Sequence, residues 1–530
     1  MFKLENATIL DINQAFEAKV LTSEQLVQLY LNRIEAYEQQ GPAINSLIAV
    51  NPNALDRARE LDLNRPDRPD SPLYGIPIIL KDNFNTADLP TTGGASALAG
   101  SLPSQDAFIV KRLRDAGAIV LGKANMSEFA LSLGRPGYSS LGGLTLNPYD
   151  LNRDASGSSS GSAAAIAANF ATLATGTDTA GSIRGPASFN GLVGIKPTLG
   201  LTSRDGIIPL ALTVDVGGPM AKTVTDAAIG LSVMVGVDAN DAATQASEGK
   251  AFADYTQFLD AGALRGAKIA IAREFLGGNP EVDCIVERAI ATMLKSGATV
   301  VDANLPPTVL EATNYEGLLS SIVQAEFFPQ IEAYLQTLSG EYPKTLERLI
   351  DASSQPVPIE TKGLVNPHRI AAHQDSLEKG GLYNADYLAA LAQLPALREK
   401  IIDLFSEGDF DAMIYPTVGC PPTPITTTNG QRIKDPTFFC DWEAIQGDPY
   451  RAGYLANLTG FPDITVPAGF TRAGLPVGLS FFAPAYREPV LLGLAYAFEQ
   501  ATQVRRAPKN TQPLPGEVFE VEKSVAIYAC

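Results

Sequence analysis

Asp154-Ala155-Ser156-Gly157-Ser158-Ser159-Ser160-Gly161-Ser162, an alanine-rich run to Ala168, and then Gly176-Thr177-Asp178-Thr179-Ala180-Gly181-Ser182-Ile183-Arg184-Gly185-Pro186-Ala187 form the stretch on which the rest of the chain turns. Glycines let the backbone take positive φ and approach a ligand closely, and the serines between them offer hydroxyls. A polar linker would share this composition, but no linker leads straight into an alanine-rich helix that must be buried. A phosphate loop needs Lys and then Ser or Thr after its last glycine; here Ser162 and Ala163 follow Gly161. Gly157-Ser158-Ser159-Ser160-Gly161 has the letters of a nucleophile elbow centred on Ser159, yet an elbow needs an apolar strand directly upstream. Asn147-Pro148-Tyr149-Asp150-Leu151-Asn152-Arg153-Asp154 is not apolar.

The remaining chemistry uses two serines and a lysine. A lysine is a general base only when neutral, and its ordinary pKa of about 10.4 must be lowered by burial or by a neighbouring cation. Lys81 follows Pro77-Ile78-Ile79-Leu80, an apolar strand able to carry it inward. A lysine at a strand end is more often a solvated surface group, so the local residues leave both roles open.

Composition narrows the classes. Apolar residues make up 45% and charged residues 18% of the 530, which reads as globular, with length alone allowing about three to four domains. The net charge of −18 disfavours nucleic acid and anionic membrane surfaces as partners. No basic and then apolar leader is evident at Met1-Phe2-Lys3-Leu4-Glu5, and Ala163–Ala174 is too short to span a bilayer. Cys284, Cys420, Cys440 and Cys530 lack a CxxC pair and are read as reduced thiols of a cytoplasmic protein. With only His368 and His373 present, a histidine-rich metal site is not expected.

Helix and strand signals alternate. Thr22–Gln25 has capping-box spacing ahead of an amphipathic helix. Helices near 107–116 and 285–296 stop at Gly117 and Gly297 and lead into Ala118–Leu121 and Thr299–Val301 as strands. Pro77–Leu80, Lys268–Ile271, Met413–Tyr415, Ile464–Pro467 and Val477–Phe482 are further strands. This alternation predicts an α/β fold with a largely parallel or mixed sheet. About 304–398 reads as a helical insertion. The tail 506–530 is proline-rich and then β-prone over Val518–Tyr528, with no role assigned.

At these residues the chain resembles the amidase signature family over about 5–505, and 1–505 is read as one domain. The resemblance rests on Gly75–Asp82, Gly122–Phe129, the span Gly157–Thr198, Asn457–Pro462 and Gly474–Gly478. It implies a mixed β-sheet core surrounded by helices and a Ser–cisSer–Lys triad: Ser182 as nucleophile, Ser158 as bridge after a cis peptide, Lys81 as base. The spacing of 24 residues between the two serines agrees with it. Backbone N–H groups of Thr179, Ala180, Gly181 and Ser182 are then expected to receive the oxyanion, Asp178 and Arg184 to support the loop as an ion pair, and the leaving group to pass near Ala130. Two departures stand out. Ser156 and Ser160 replace flanking glycines, and Ala180 stands where the family often has glycine, which puts the loop conformation there in doubt.

The implied activity is hydrolysis of a carboxylic amide, without metal or cofactor, on a small-molecule or peptide substrate. Gly191–Thr198 with Ser203–Pro209 is similar to bacterial peptide amidases, which take C-terminal amides. The alternatives are a glutaminase-type component of an amidotransferase and a non-catalytic binding relative. A homodimer is compatible with everything above.

Overall fold

Pro77–Lys81, Ile119–Ala124, Ala412–Pro416 and Pro476–Phe482 are buried at every position. Strands apolar on both faces need helices on both sides. The computed structural model describes residues 2–67, 69–354, 365–425, 433–436 and 438–519, and it meets that need with one mixed sheet of eleven strands. In chain order these are β1 (Leu47–Val50), β2 (Pro77–Lys81), β3 (Ile119–Ala124), β4 (Leu173–Asp178), β5 (Val193–Lys196), β6 (Val216–Ala221), β7 (Lys268–Ile271), β8 (Thr299–Asp302), β9 (Ala412–Pro416), β10 (Asp463–Phe470) and β11 (Pro476–Phe482). Across the sheet they run β8-β7-β9-β11-β10-β5-β6-β4-β2-β3-β1. Pairing is parallel for β8-β7-β9 and for β4-β2-β3, and antiparallel elsewhere.

All the strands expected from apolar runs are present, but β1 and the central β4, β5 and β6 carry weaker signals. For β4, β5 and β6 glycine is the reason. Gly218 on β6 faces the Ile195 carbonyl so closely that a Cβ would overlap it, and Gly176 on β4 abuts Ile183, Met220 and Ser159. The alanine-rich helix Ser160–Ala167 is buried at every position. A Cβ on Gly161 would run into the Asn125 and Ser46 carbonyls, so only a bare backbone packs there.

The described residues of 304–398 are mainly helical, with Pro307–Ala312, Ser320–Thr337, Leu346–Ser354, Pro367–Lys379 and Ala385–Gly408, the last running beyond the expected boundary; 355–364 lie outside the described residues. It is clamped to the sheet side by a buried Arg369–Glu128 pair at 2.8 Å and by His373, whose ring meets Phe129 edge-on at 5.6 Å. The tail also docks. Buried Arg33 holds Glu517 at 2.8 Å and the Thr511 carbonyl, and Val518–Phe519 pairs with Phe2–Lys3. The rest of the β-prone Val518–Tyr528 lies outside the described residues. Among those described, no helix is long and apolar enough to cross a membrane.

The reading of four reduced thiols is corrected. Cys420 and Cys440 form a disulfide, with Cα atoms 5.7 Å apart, and both are buried beside Ile445. Tertiary packing brings them together across 20 residues, a separation that carries no motif. Cys284 is free and exposed. Thiol titration of the denatured chain should therefore gain two groups after reduction. Closing a loop of that length predicts that the Cys420→Ser, Cys440→Ser double variant loses about 3 kcal/mol of stability, read as a lower Tm.

Candidate active site

Strand β2 carries Lys81 to a position with no exposed surface. Its Nζ lies 2.8 Å from Ser158 Oγ, 2.8 Å from Thr177 Oγ1 and 3.5 Å from the Thr177 carbonyl. A neutral amine has two N–H groups and one lone pair. Were the amine neutral, with Thr177 accepting both hydrogens, its lone pair would be left for the Ser158 hydroxyl. Burial pushes Lys81 down to about 7, against the opposing pull of the Asp178 and Asp215 carboxylates. The solvated-surface role open to Lys81 from its sequence position is thus not the one it takes.

The Gly157–Ser158 peptide is cis. A side chain on Gly157 would strike the hydroxyls of Ser127 and Ser132. The Ser158 carbonyl accepts Ser127 N at 3.0 Å, which anchors the bridge to the loop after β3. Ser182 follows Gly181, at φ +92, and its carbonyl accepts Ser159 N at 3.2 Å. Its own hydroxyl makes no hydrogen bond among the described residues and borders a cavity of about 500 Å³. Such bonds commonly close only when substrate is present.

The turn from Asp178 to Arg184 is braced from below. The Asp178 carboxylate accepts Gly181 N at 2.8 Å, Ile183 N at 3.0 Å, and Arg184 Nε at 3.0 Å. Arg184 also reaches Asp463 at 2.6 Å and Asn457 Oδ1 at 2.6 Å. Burial pushes the Asp178 carboxyl up, but Arg184 and these hydrogen bonds prevail and hold it well below the usual carboxylate range. One expectation changes here. The Gly181 N–H is taken by Asp178, so the amides of Thr179, Ala180 and Ser182 are the ones without a protein acceptor among the described residues. Ala180 keeps an ordinary negative φ, and alanine therefore fits where glycine was expected. Ala130, at φ 61 in the turn Glu128–Ala130, lines the same cavity as Ser182 and Thr179.

The amidase family model matches residues 25–492. This chain belongs to the amidase family. A peptide amidase from Stenotrophomonas maltophilia is 38% identical, with a TM-score of 0.83 over 96% of this chain and 99% of that one. A probable amidase of Arabidopsis thaliana is 35% identical over 96% of this chain and 92% of its own. A glutamyl-tRNA(Gln) amidotransferase chain of Alkaliphilus metalliredigens, one component of that enzyme, is 36% identical over 94% and 97%. The chain is accordingly an amidohydrolase that cleaves carboxylic amide C–N bonds.

Within this amidase, sequence reasoning missed Thr177, Asn83 and Asp215. Asn83 Nδ2 donates to Thr177 Oγ1 at 3.1 Å. Asp215 accepts the Thr179 hydroxyl at 2.6 Å and the amides of Leu210 and Ala211 at 2.8 and 2.9 Å. Burial pushes the Asp215 carboxyl up to about 6. The available signal was an aspartate inside the apolar run Val214-Asp215-Val216. No cluster of three or more His, Cys, Asp or Glu is placed to hold a metal among the described residues.

If neutral Lys81 is required, kcat/KM on an uncharged amide should rise about tenfold per pH unit below about 7 and level off above it. The Asp215 carboxylate raises the Lys81 pKa, so Asp215→Asn should move that limb to lower pH; a shift upward counts against the assignment. Arg184→Leu would strand two buried carboxylates, Asp178 and Asp463, and should cost about 3–5 kcal/mol in denaturant unfolding.

Proposed function

We propose that Ser182 is the nucleophile of this amide hydrolysis, with Ser158 passing its proton to neutral Lys81. The observation that supports this most directly is the 2.8 Å contact between a fully buried Lys81 amine and Ser158 Oγ, with Thr177 occupying the other amine hydrogens. Ser182 Oγ attacks the carbonyl carbon, and the free amides of the 179–182 turn receive the charge that develops on its oxygen. Donors of this kind are worth about 3 kcal/mol each in the barrier. The proton returns through Ser158 to the amide nitrogen, which leaves, and water then attacks the acyl-enzyme through the same base.

The substrate we propose is the C-terminal amide of a peptide. The likeness to a peptide amidase supports it, as does the cavity, which is lined by Leu133, Ile425, Trp442, Tyr450 and Tyr454. A cavity of about 500 Å³ with such walls suits an apolar acyl group of more than one residue. The amidotransferase relatives support a second reading, a glutaminase that works with other chains.

Ser182→Ala and Lys81→Ala should each lower ammonia release from a peptide amide by roughly 10⁴-fold. A fluorophosphonate should label the unaltered chain but not Ser182→Ala. Full activity in Ser182→Ala overturns the assignment. Ammonia release from glutamine but from no peptide amide would favour the glutaminase reading.

A further inference from the structure

Trp442 is the one tryptophan of the chain. It lines the cavity that Ser182 borders, and it is 37% exposed where Ser182 is 6% exposed. The cavity therefore leads from a buried nucleophile to an indole at its rim. The stretch that carries the indole, 441–450, forms neither helix nor strand, so no ladder of the sheet fixes it. Gln446, Asp448 and Tyr450 of the same stretch also line the cavity.

The stretch is fixed by ties to its surroundings. Cys440, two residues before Trp442, is bonded to Cys420. The Phe439 carbonyl accepts Asn279 Nδ2 at 2.7 Å, Asp441 N donates to the Gly278 carbonyl at 2.7 Å, and the Pro449 carbonyl accepts Gly419 N at 2.8 Å. Ile445 is buried against the disulfide. The Trp442 carbonyl accepts Gly447 N at 2.6 Å, which closes the turn on which the ring stands. At the other end of the stretch, the Tyr450 hydroxyl meets Ser156 Oγ at 3.0 Å, two residues before Ser158. One end of this wall thus touches the segment of the bridging serine, and the other is held by a covalent cross-link.

We propose that Trp442, held at the rim by the Cys420–Cys440 disulfide, is the residue that selects amides whose acyl part is longer than one residue. The proposal deepens the peptide-amide reading and rests on it. The scissile carbonyl must reach Ser182, so a one-residue acyl group stays at the buried end of the cavity. Each further residue extends the chain by about 3.4 Å toward the rim. There an indole offers a large apolar face with few torsions to restrict, and such aromatic anchors commonly dominate recognition. The cross-link holds the ring in place before substrate arrives, so the wall need not be ordered on binding.

The lone tryptophan supplies a direct readout. Saturating the Ser182→Ala variant with an N-acetylated three-residue peptide amide should shift or quench the tryptophan emission, and the one-residue amide of the same C-terminal residue should do so far less. In turnover by the unaltered chain, kcat/KM for the three-residue amide should exceed that for the one-residue amide. Trp442→Ala should lower this ratio roughly tenfold, mainly through KM, and Trp442→Phe should retain most of it. The Cys420→Ser, Cys440→Ser double variant, assayed well below its Tm, should lower the ratio roughly threefold or more. Adding Trp442→Ala to that variant should lower it less than Trp442→Ala does alone, because the two changes act on one contact. An emission response equal for both amides, or a ratio that Trp442→Ala leaves unchanged, overturns the proposal. A ratio kept by the double cysteine variant overturns the role of the cross-link. The peptide-amide reading fails separately, and takes this proposal with it, if the unaltered chain releases ammonia from glutamine and from neither peptide amide.

Discussion

A lysine amine kept from water is the constraint on which the proposed mechanism depends. A lysine exposed to solvent at neutral pH is an ammonium and cannot accept a proton. The sheet resolves this by burying Lys81 at the end of β2 and by surrounding Nζ with hydroxyl and carbonyl oxygens of neutral groups. The nearest carboxylates, Asp178 and Asp215, are turned to other work: one grips Arg184 and the following turn, the other holds Thr179 and the Leu210 segment. Had either paired directly with Lys81, the amine would stay charged.

The second requirement is rigidity beneath the 179–182 turn. Asp178, Arg184, Asp463 and Asn457 are brought together from β4, the helix after Ser182, β10 and the helix Arg451–Thr459. Arg184 lies at the centre and bonds the other three. A network this buried is costly if incomplete and specific in shape if complete. It fixes where the turn's free amides sit relative to Ser182. It also explains an Arg and an Asp in a segment that is otherwise small and apolar.

Glycine and alanine account for what was hard to read as well as for what the structure does. Strands β2, β3 and β7 are rich in Ile, Val and Leu, and they are plain from pattern alone. The central strands β4, β5 and β6 contain Gly176, Gly194, Gly217 and Gly218, residues that weaken a strand signal. They are needed because Ile183, Met220, Ala187, Ile109 and the Ile195 carbonyl come too close for added side chains. The same economy hid the disulfide, since two cysteines twenty residues apart carry no local mark.

The sequence by itself determined the family, the alternation of helix and strand, and the candidate residues Lys81, Ser158 and Ser182, because those depend on local pattern and on motifs of fixed spacing. It also placed Asp178 beside Arg184, six residues on. Tertiary structure alone decided that Thr177 and Asn83 orient the lysine, that Asp215 supports Thr179, that Asp178 takes the Gly181 amide, and that Cys420 meets Cys440. Each of these is a contact between segments distant in the chain or an allocation of one hydrogen bond among several claimants. Neither is encoded at any single position; both follow only once the sheet has set which groups are deprived of water and which neighbours remain to satisfy them.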